Sequence, residues 1–385
     1  MPVLYFLPWV STVKTVIVGD LKLVPYERGI QPADLDGITI NSIDAVLANY
    51  GNQGYPSKRR AAPITNATIV AWNSASTASE PTDEEIQKRL QVGQQLVFCA
   101  LARRQFCSHF GYCNTDGYRM IAQRFTVHNS GAIAVRTRRR DGHSLQYLGN
   151  NAHNPRFVRP LHVDARLPLD IDFKLLEALQ AVIEPELKER LSAAIDVFVR
   201  ANTDAPDMPE RTEIVLLRIA FETLLNSTHQ TDDLVRCFAD HFRREVPSTP
   251  VWHAGQFNEK IWRKRWLDKG KRNITRPLDA WVNDFCGARN AAAHGSRGHH
   301  DLPVWQIQNH LLFASWLFPL MVKGCLASAG LYHLTDEDVA LRGGFEAFFA
   351  HDVVASFDEN NPELMWTKVE RELLFQVFAK TVFST

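Results

Sequence analysis

The hydrophobic period of this chain changes near residue 170, and that change constrains the fold more than any other feature. Before it, apolar residues alternate with polar ones or fall in short runs, the two-residue repeat of a strand. Val13-Lys14-Thr15-Val16-Ile17-Val18, then Gly19-Asp20, then Leu21-Lys22-Leu23-Val24 is the pattern of a hairpin closed by a two-residue turn. The apolar stretch Met1–Val10 predicts a first strand, and Phe125–Val127, Ile133–Arg136 and Leu145–Leu148 predict a short meander with turns at 128–131 and 141–142. Between them Thr82-Asp83-Glu84-Glu85 is a capping-box pattern opening a helix to about Cys107, since Thr and Glu at that spacing can each accept from a free N–H at the helix start. The polar segment Asn73–Pro81 before it reads as a loop. Residues 1–166 are expected to form an α+β domain with a sensing or recruiting role.

From Asp170 onward apolar residues recur three and four apart, as in Leu187, Leu191, Ile195 and Phe198, and again in Ile214, Leu217, Phe221 and Leu224. Asn202–Pro209 separates these two helices, and Thr231-Asp232-Asp233 caps a third that runs to about Glu245. Pro277 and Gly295 bracket a fourth, with Leu278, Trp281, Val282 and Phe285 on its apolar side. A fifth, roughly Pro303–Ala329, contains Pro319, a position for a kink. Residues 167–330 thus predict an all-α bundle. Thr335-Asp336-Glu337-Asp338 and the amphipathic Pro362–Phe383 predict a helical extension over 331–385.

A chain of 385 residues with 45% hydrophobic and 22% charged residues has ordinary globular composition and more length than one core usually holds. Its 43 basic residues match its 43 acidic ones, so a nucleic-acid surface has to come from local clusters rather than from net charge. Six cysteines without the density of a disulfide scaffold fit a reducing, cytoplasmic setting. The start of the chain lacks a basic region and a small-residue cleavage site, so it does not resemble a secretion signal. The longest apolar run, Leu311–Val322, ends at Lys323, short of the roughly 20 residues that cross a bilayer. It predicts a buried helix and no membrane association.

Arg289-Asn290-Ala291-Ala292-Ala293-His294-Gly295 closes the fourth helix. Residues five apart on an ideal helix point about 140° from one another, whereas Asn290 and His294, four apart, share a face. Arg289 therefore has to reach round with its long stem. The alanines keep the intervening surface low, which would let a second copy pack close. An imidazole that titrates near neutrality and a fixed guanidinium suit RNA transphosphorylation, in which a 2′-hydroxyl attacks the adjacent phosphate and a more negative phosphorane forms. The helix C-terminus favours protonated His294, as acid or as a second cation on the phosphate.

This run, late in a bundle of about five helices, resembles the R-N-x-x-x-H motif of HEPN domains, a helical family that includes prokaryotic toxins and antiviral ribonucleases. Leu216–Leu225, with Glu222 in an aliphatic helix, is similar to the corresponding helix of Apea-like HEPN proteins, which also tend to carry a β-rich N-terminal region. The resemblance covers roughly residues 170–330. It implies a metal-independent endoribonuclease without a cofactor, leaving a cyclic phosphate, at a composite site between two paired helical domains. It carries Arg289, Asn290 and His294 over as catalytic residues, with Glu222 as a supporting group, and implies a homodimer acting on RNA in phage defence or a toxin system. Members paired with a nucleotidyltransferase antitoxin often carry Tyr three residues after the His. Here that position is Arg297, so regulation by tyrosine modification is not expected. Some HEPN domains are inactive, which leaves a non-catalytic binding or dimerisation module as the alternative.

Just before the motif helix, Lys260, Arg263, Lys264, Arg265, Lys269, Lys271 and Arg272 surround Trp262 and Trp266. These residues could neutralise phosphates and stack on bases, or form a solvated face above core tryptophans. The cluster Arg136-Thr137-Arg138-Arg139-Arg140 reads first as a solvated strand end. Cys107, His109 and Cys113 lack zinc spacing, and His299-His300 has no carboxylate-bearing helix motif, so no metal site is expected. Neither a glycine-rich phosphate loop nor a nucleophile elbow is present in the sequence.

Overall fold

The fold comes from a computed structural model that describes residues 1–33, 35, 37–52, 62–74, 80–104, 115–126, 133–140, 142–148, 157–159, 167–203, 208–245, 277–294, 307–336 and 338–339. These residues fall into two compact units, one through Gln180 and one from Ala181 onward. An N-terminal region built on an antiparallel sheet precedes a helical region, the order that the change of period predicts.

The first unit holds strands β1 (Val3–Leu7), β2 (Val10–Ser11), β3 (Val16–Val18), β4 (Leu21–Glu27), β5 (Tyr50–Asn52), β6 (Ala62–Pro63), β7 (Asn66–Trp72), β8 (Ile121–Phe125), β9 (Ile133–Arg139), β10 (Gly142–Leu148), β11 (Phe157–Val158) and β12 (Leu167–Pro168). Its helices are α1 (Ile40–Leu47), α2 (Asp83–Leu101) and α3 (Phe173–Gln180). The main sheet runs β10-β9-β8-β1-β7-β4-β3, antiparallel at every pairing. Strand β1 sits at its centre and is buried at every residue, which its unbroken apolar sequence VLYFL requires. Leu4 and Phe6 face a core with Ile43, Val46 and Leu47 of α1. Tyr5 turns to the other face, where the Arg89 guanidinium of α2 lies 5.3 Å from its ring and 5.0 Å from that of Trp72.

The expected hairpin forms with Val18 opposite Leu21, and Gly19 takes φ +57°, a left-handed value that its missing Cβ tolerates. The meander forms as β8-β9-β10. Thr82 and Glu85 make both bonds of the capping box at the start of α2, although that helix stops at Leu101 rather than near Cys107. Helix α3 packs on α2 and β3, and the first unit runs through Gln180. Eight-residue α1 is too short to show a sustained period in the sequence, and Thr39 caps it.

The second unit contains α4 (Pro185–Ala201), α5 (Glu210–Leu225), α6 (Thr231–Glu245), α7 (Pro277–His294) and α8 (Ile307–Ser328). Every one of them contributes to an aromatic core. Phe198 of α4 stacks on Phe318 of α8 at 4.3 Å, Phe221 of α5 meets Phe238, Phe285 and Phe318, and Trp281 of α7 stacks on Phe285 at 5.3 Å. Pro319 lies inside α8 as expected. Among the described residues α8 alone has the length and composition to cross a membrane, but 67% of its apolar window is buried, the pattern of a core helix. After α8, Thr335 and Asp338 cap one another: the Thr335 backbone N–H donates to the Asp338 carboxylate, and the Asp338 N–H donates to Thr335 Oγ1. The proposed amphipathic segment 362–383 lies outside the described residues.

Candidate functional site

Helix α7 is held from two sides, and this sets where its C-terminal end points. Toward α8, Asp284 Oδ2 lies 3.2 Å from Nε2 of His310, a fully buried ring tilted against Trp281 and Phe285. Toward α5, Arg218 occupies a core-facing position. Ile214, Leu217, Arg218, Phe221 and Leu224 follow the three-and-four spacing of the buried stripe, so the helix carries a guanidinium inward where an apolar residue would be ordinary.

A guanidinium that is 1% exposed has lost its water and needs compensation from the protein. Arg218 finds three acceptors. Nε donates to Glu222 Oε1 at 2.7 Å, Nη2 to the His229 carbonyl at 2.6 Å, and Nη1 to Asn290 Oδ1 at 3.0 Å. Glu222 balances the charge from one turn along the same helix, while His229 belongs to the loop before α6. The same Asn290 oxygen accepts from Arg289 Nη1, also at 3.0 Å. Arg289 and Asn290 are both half-buried, and Arg289 Nε is enclosed with no hydrogen-bond partner among the described residues. Among the described residues this cluster sets two guanidinium groups against one carboxylate, an excess of positive charge close to the helix end, where the macrodipole also favours cations.

Of the expected site residues, the structure joins Arg289 to Asn290 directly and Glu222 to Asn290 through Arg218. His294 is the last residue of α7, one turn past Asn290, and its side chain lies outside the description. The alanines between are half-buried at 291 and 292 and exposed at 293, so that surface is open within the unit. The basic cluster Lys260, Arg263, Lys264, Arg265, Lys269, Lys271 and Arg272 falls outside the described residues, as do Cys107, His109, Cys113, Arg297, His299 and His300. Arg218 is the buried member of this cluster that the motif did not reveal. Its signal was present in the sequence as a basic residue interrupting an apolar stripe, with Glu222 four positions on.

Cys286, one turn before Asn290, is fully buried, and burial pushes its thiol up to about 11 against the lowering influence of Arg218 and Thr231. It remains a neutral thiol near pH 7 and is unsuited to act as a nucleophile. Among the described residues no three His, Cys, Asp or Glu side chains are grouped as they would be to hold a metal ion. No family model matches the chain, and no curated protein or solved structure is significantly similar to it.

Proposed function

We propose that the chain is a metal-independent endoribonuclease of HEPN type. The carrying observation is the half-buried Arg289, held at a defined position by Asn290 on a cluster with excess positive charge. In this reading Arg289 binds the scissile phosphate, Asn290 orients it, and His294 transfers a proton or stabilises the developing charge. The attacking group is the neighbouring 2′-hydroxyl, so the 5′ fragment ends in a cyclic phosphate and the next nucleotide leaves with a free 5′-hydroxyl. Two chains pair through the helical unit over the low alanine surface of α7, and the basic segment 260–272 extends the RNA path. A purely structural tie between α5 and α7 needs Arg218 but not a second, half-buried cation beside it, and this favours the nuclease over the non-catalytic module.

Purified full-length protein incubated with end-labelled total RNA in excess chelator tests the reading. Wild type is expected to cleave, and Arg289→Ala and His294→Ala to lose about 100- to 1,000-fold in rate, the scale for removing one transition-state contact. RNA that stays intact with wild type but is retarded in a gel would replace the enzyme with a binding module.

A further inference from the structure

We propose that Arg218 is a positioning residue: it locks the Asn290 amide with Oδ1 inward, leaving Nδ2 beside Arg289 as a second donor for an oxyanion. The reaction it serves rests on the nuclease reading, but the locking of the amide does not.

A guanidinium carries donors only, so the Asn290 atom that meets two of them has to be the oxygen. That oxygen has two lone pairs, and Arg218 and Arg289 occupy both. Rotating the amide by half a turn would set its NH2 against two cations and strip each of an acceptor, so one orientation is enforced. Among the described residues no hydrogen bond runs from Asn290 Nδ2, and the residue is only half-buried. Arg289 likewise engages with one of its nitrogens only. The two side chains therefore offer adjacent N–H groups from neighbouring positions, a set suited to phosphate oxygens.

Arg218 can hold the amide because it is itself held. Its three bonds run to α5, to the loop before α6 and to α7, so the fork cannot turn without breaking contacts in three segments. Lysine has a single charged nitrogen on a flexible stem and cannot reproduce this division.

The test uses the full chain labelled with 15N-asparagine, the Asn290 side-chain amide being the signal that disappears in Asn290→Ala. Two variants are compared with wild type. Arg218→Lys keeps a buried cation beside Glu222, and the double substitution Arg218→Met with Glu222→Met removes the pair without stranding a charge, a replacement that folds tolerate. In either variant that keeps a near-wild-type unfolding midpoint, the Asn290 amide signal should move, and kcat on chelated RNA should fall about 100-fold with KM little changed. A merely structural role would move the midpoint and leave kcat per folded molecule intact. Folded variants with wild-type kcat, or with an unmoved amide signal, would overturn the proposal. Should wild type cleave no RNA, the nuclease reading fails separately. The amide signal then decides the positioning alone: displaced, it supports the lock; unmoved, it refutes it.

Discussion

Each unit buries an arginine to 1% exposure, Arg159 in the sheet unit and Arg218 in the helical unit, and the two are bound in different ways. Arg159 lays its fork side-on against Asp116, with Nε and Nη2 each 3.0 Å from one carboxylate oxygen. The Asp116 side chain is itself nearly buried. Arg218 instead divides its fork among three segments, and one branch runs through Asn290 to the half-buried Arg289. Two parallel bonds to one carboxylate tie two points together, whereas bonds divided among segments fix the mutual placement of several. The first arrangement brings two buried groups together, and the second reaches a half-buried side chain.

The comparison breaks if Arg159 matters for chemistry. Arg159→Ala strands a buried carboxylate and is expected to cost about 3–5 kcal/mol, read by denaturant unfolding. Cleavage per folded molecule should not change; a loss comparable to that of Arg289→Ala would abolish the distinction. A second test loads the sheet unit without touching any charge. A Cβ on Gly93 would meet Met120 Cβ at 2.8 Å and Cε at 2.9 Å. Gly93→Ala gains about 1 kcal/mol of helix propensity, but the overpacking outweighs it, for a net loss of about 1–2 kcal/mol in chemical denaturation. An unchanged or raised stability would mean that β8 and α2 yield there.

The smallest effect concerns the buried pair that ties α8 to the segment after it, where Lys323 Nζ lies 2.6 Å from Asp338 Oδ1. Burial pulls the Asp338 carboxyl upward, but the hydrogen bond from Lys323, the Thr335 backbone N–H and the lysine charge together bring it below its ordinary 3.8. The folded chain therefore holds this proton less readily than the unfolded one. Its stabilisation is fully present above about pH 4 and is lost as the pH falls through the lowered value. The stability gap between wild type and Asp338→Asn should be widest near neutrality and narrow below about pH 4. A gap that stays constant across that range would show that Asp338 acts here by shape alone.

Where local chemistry decides the structure, the sequence was informative. Gly19-Asp20 set the hairpin, Thr82 and Glu85 the start of α2, and Pro277 the start of α7. Helices α1 and α3 escaped because eight residues hold scarcely two turns of pattern, and the packing of α3 on α2 and β3 is a tertiary fact. At the candidate site, Arg289, Asn290 and His294 were legible as a run within one helix. Arg218 was not, because its bond to Asn290 spans 72 positions and no periodicity reports a contact between two separate helices.

The shared oxygen of Asn290 also says which residue can stand there. A carboxylate would gather the same two guanidiniums more strongly, yet Asp at 290 would cancel the excess charge. An amide joins two like charges while contributing none of its own, so the local potential stays positive. Asn290→Asp, a change of one heavy atom, would keep an acceptor for both guanidiniums and cancel that positive potential.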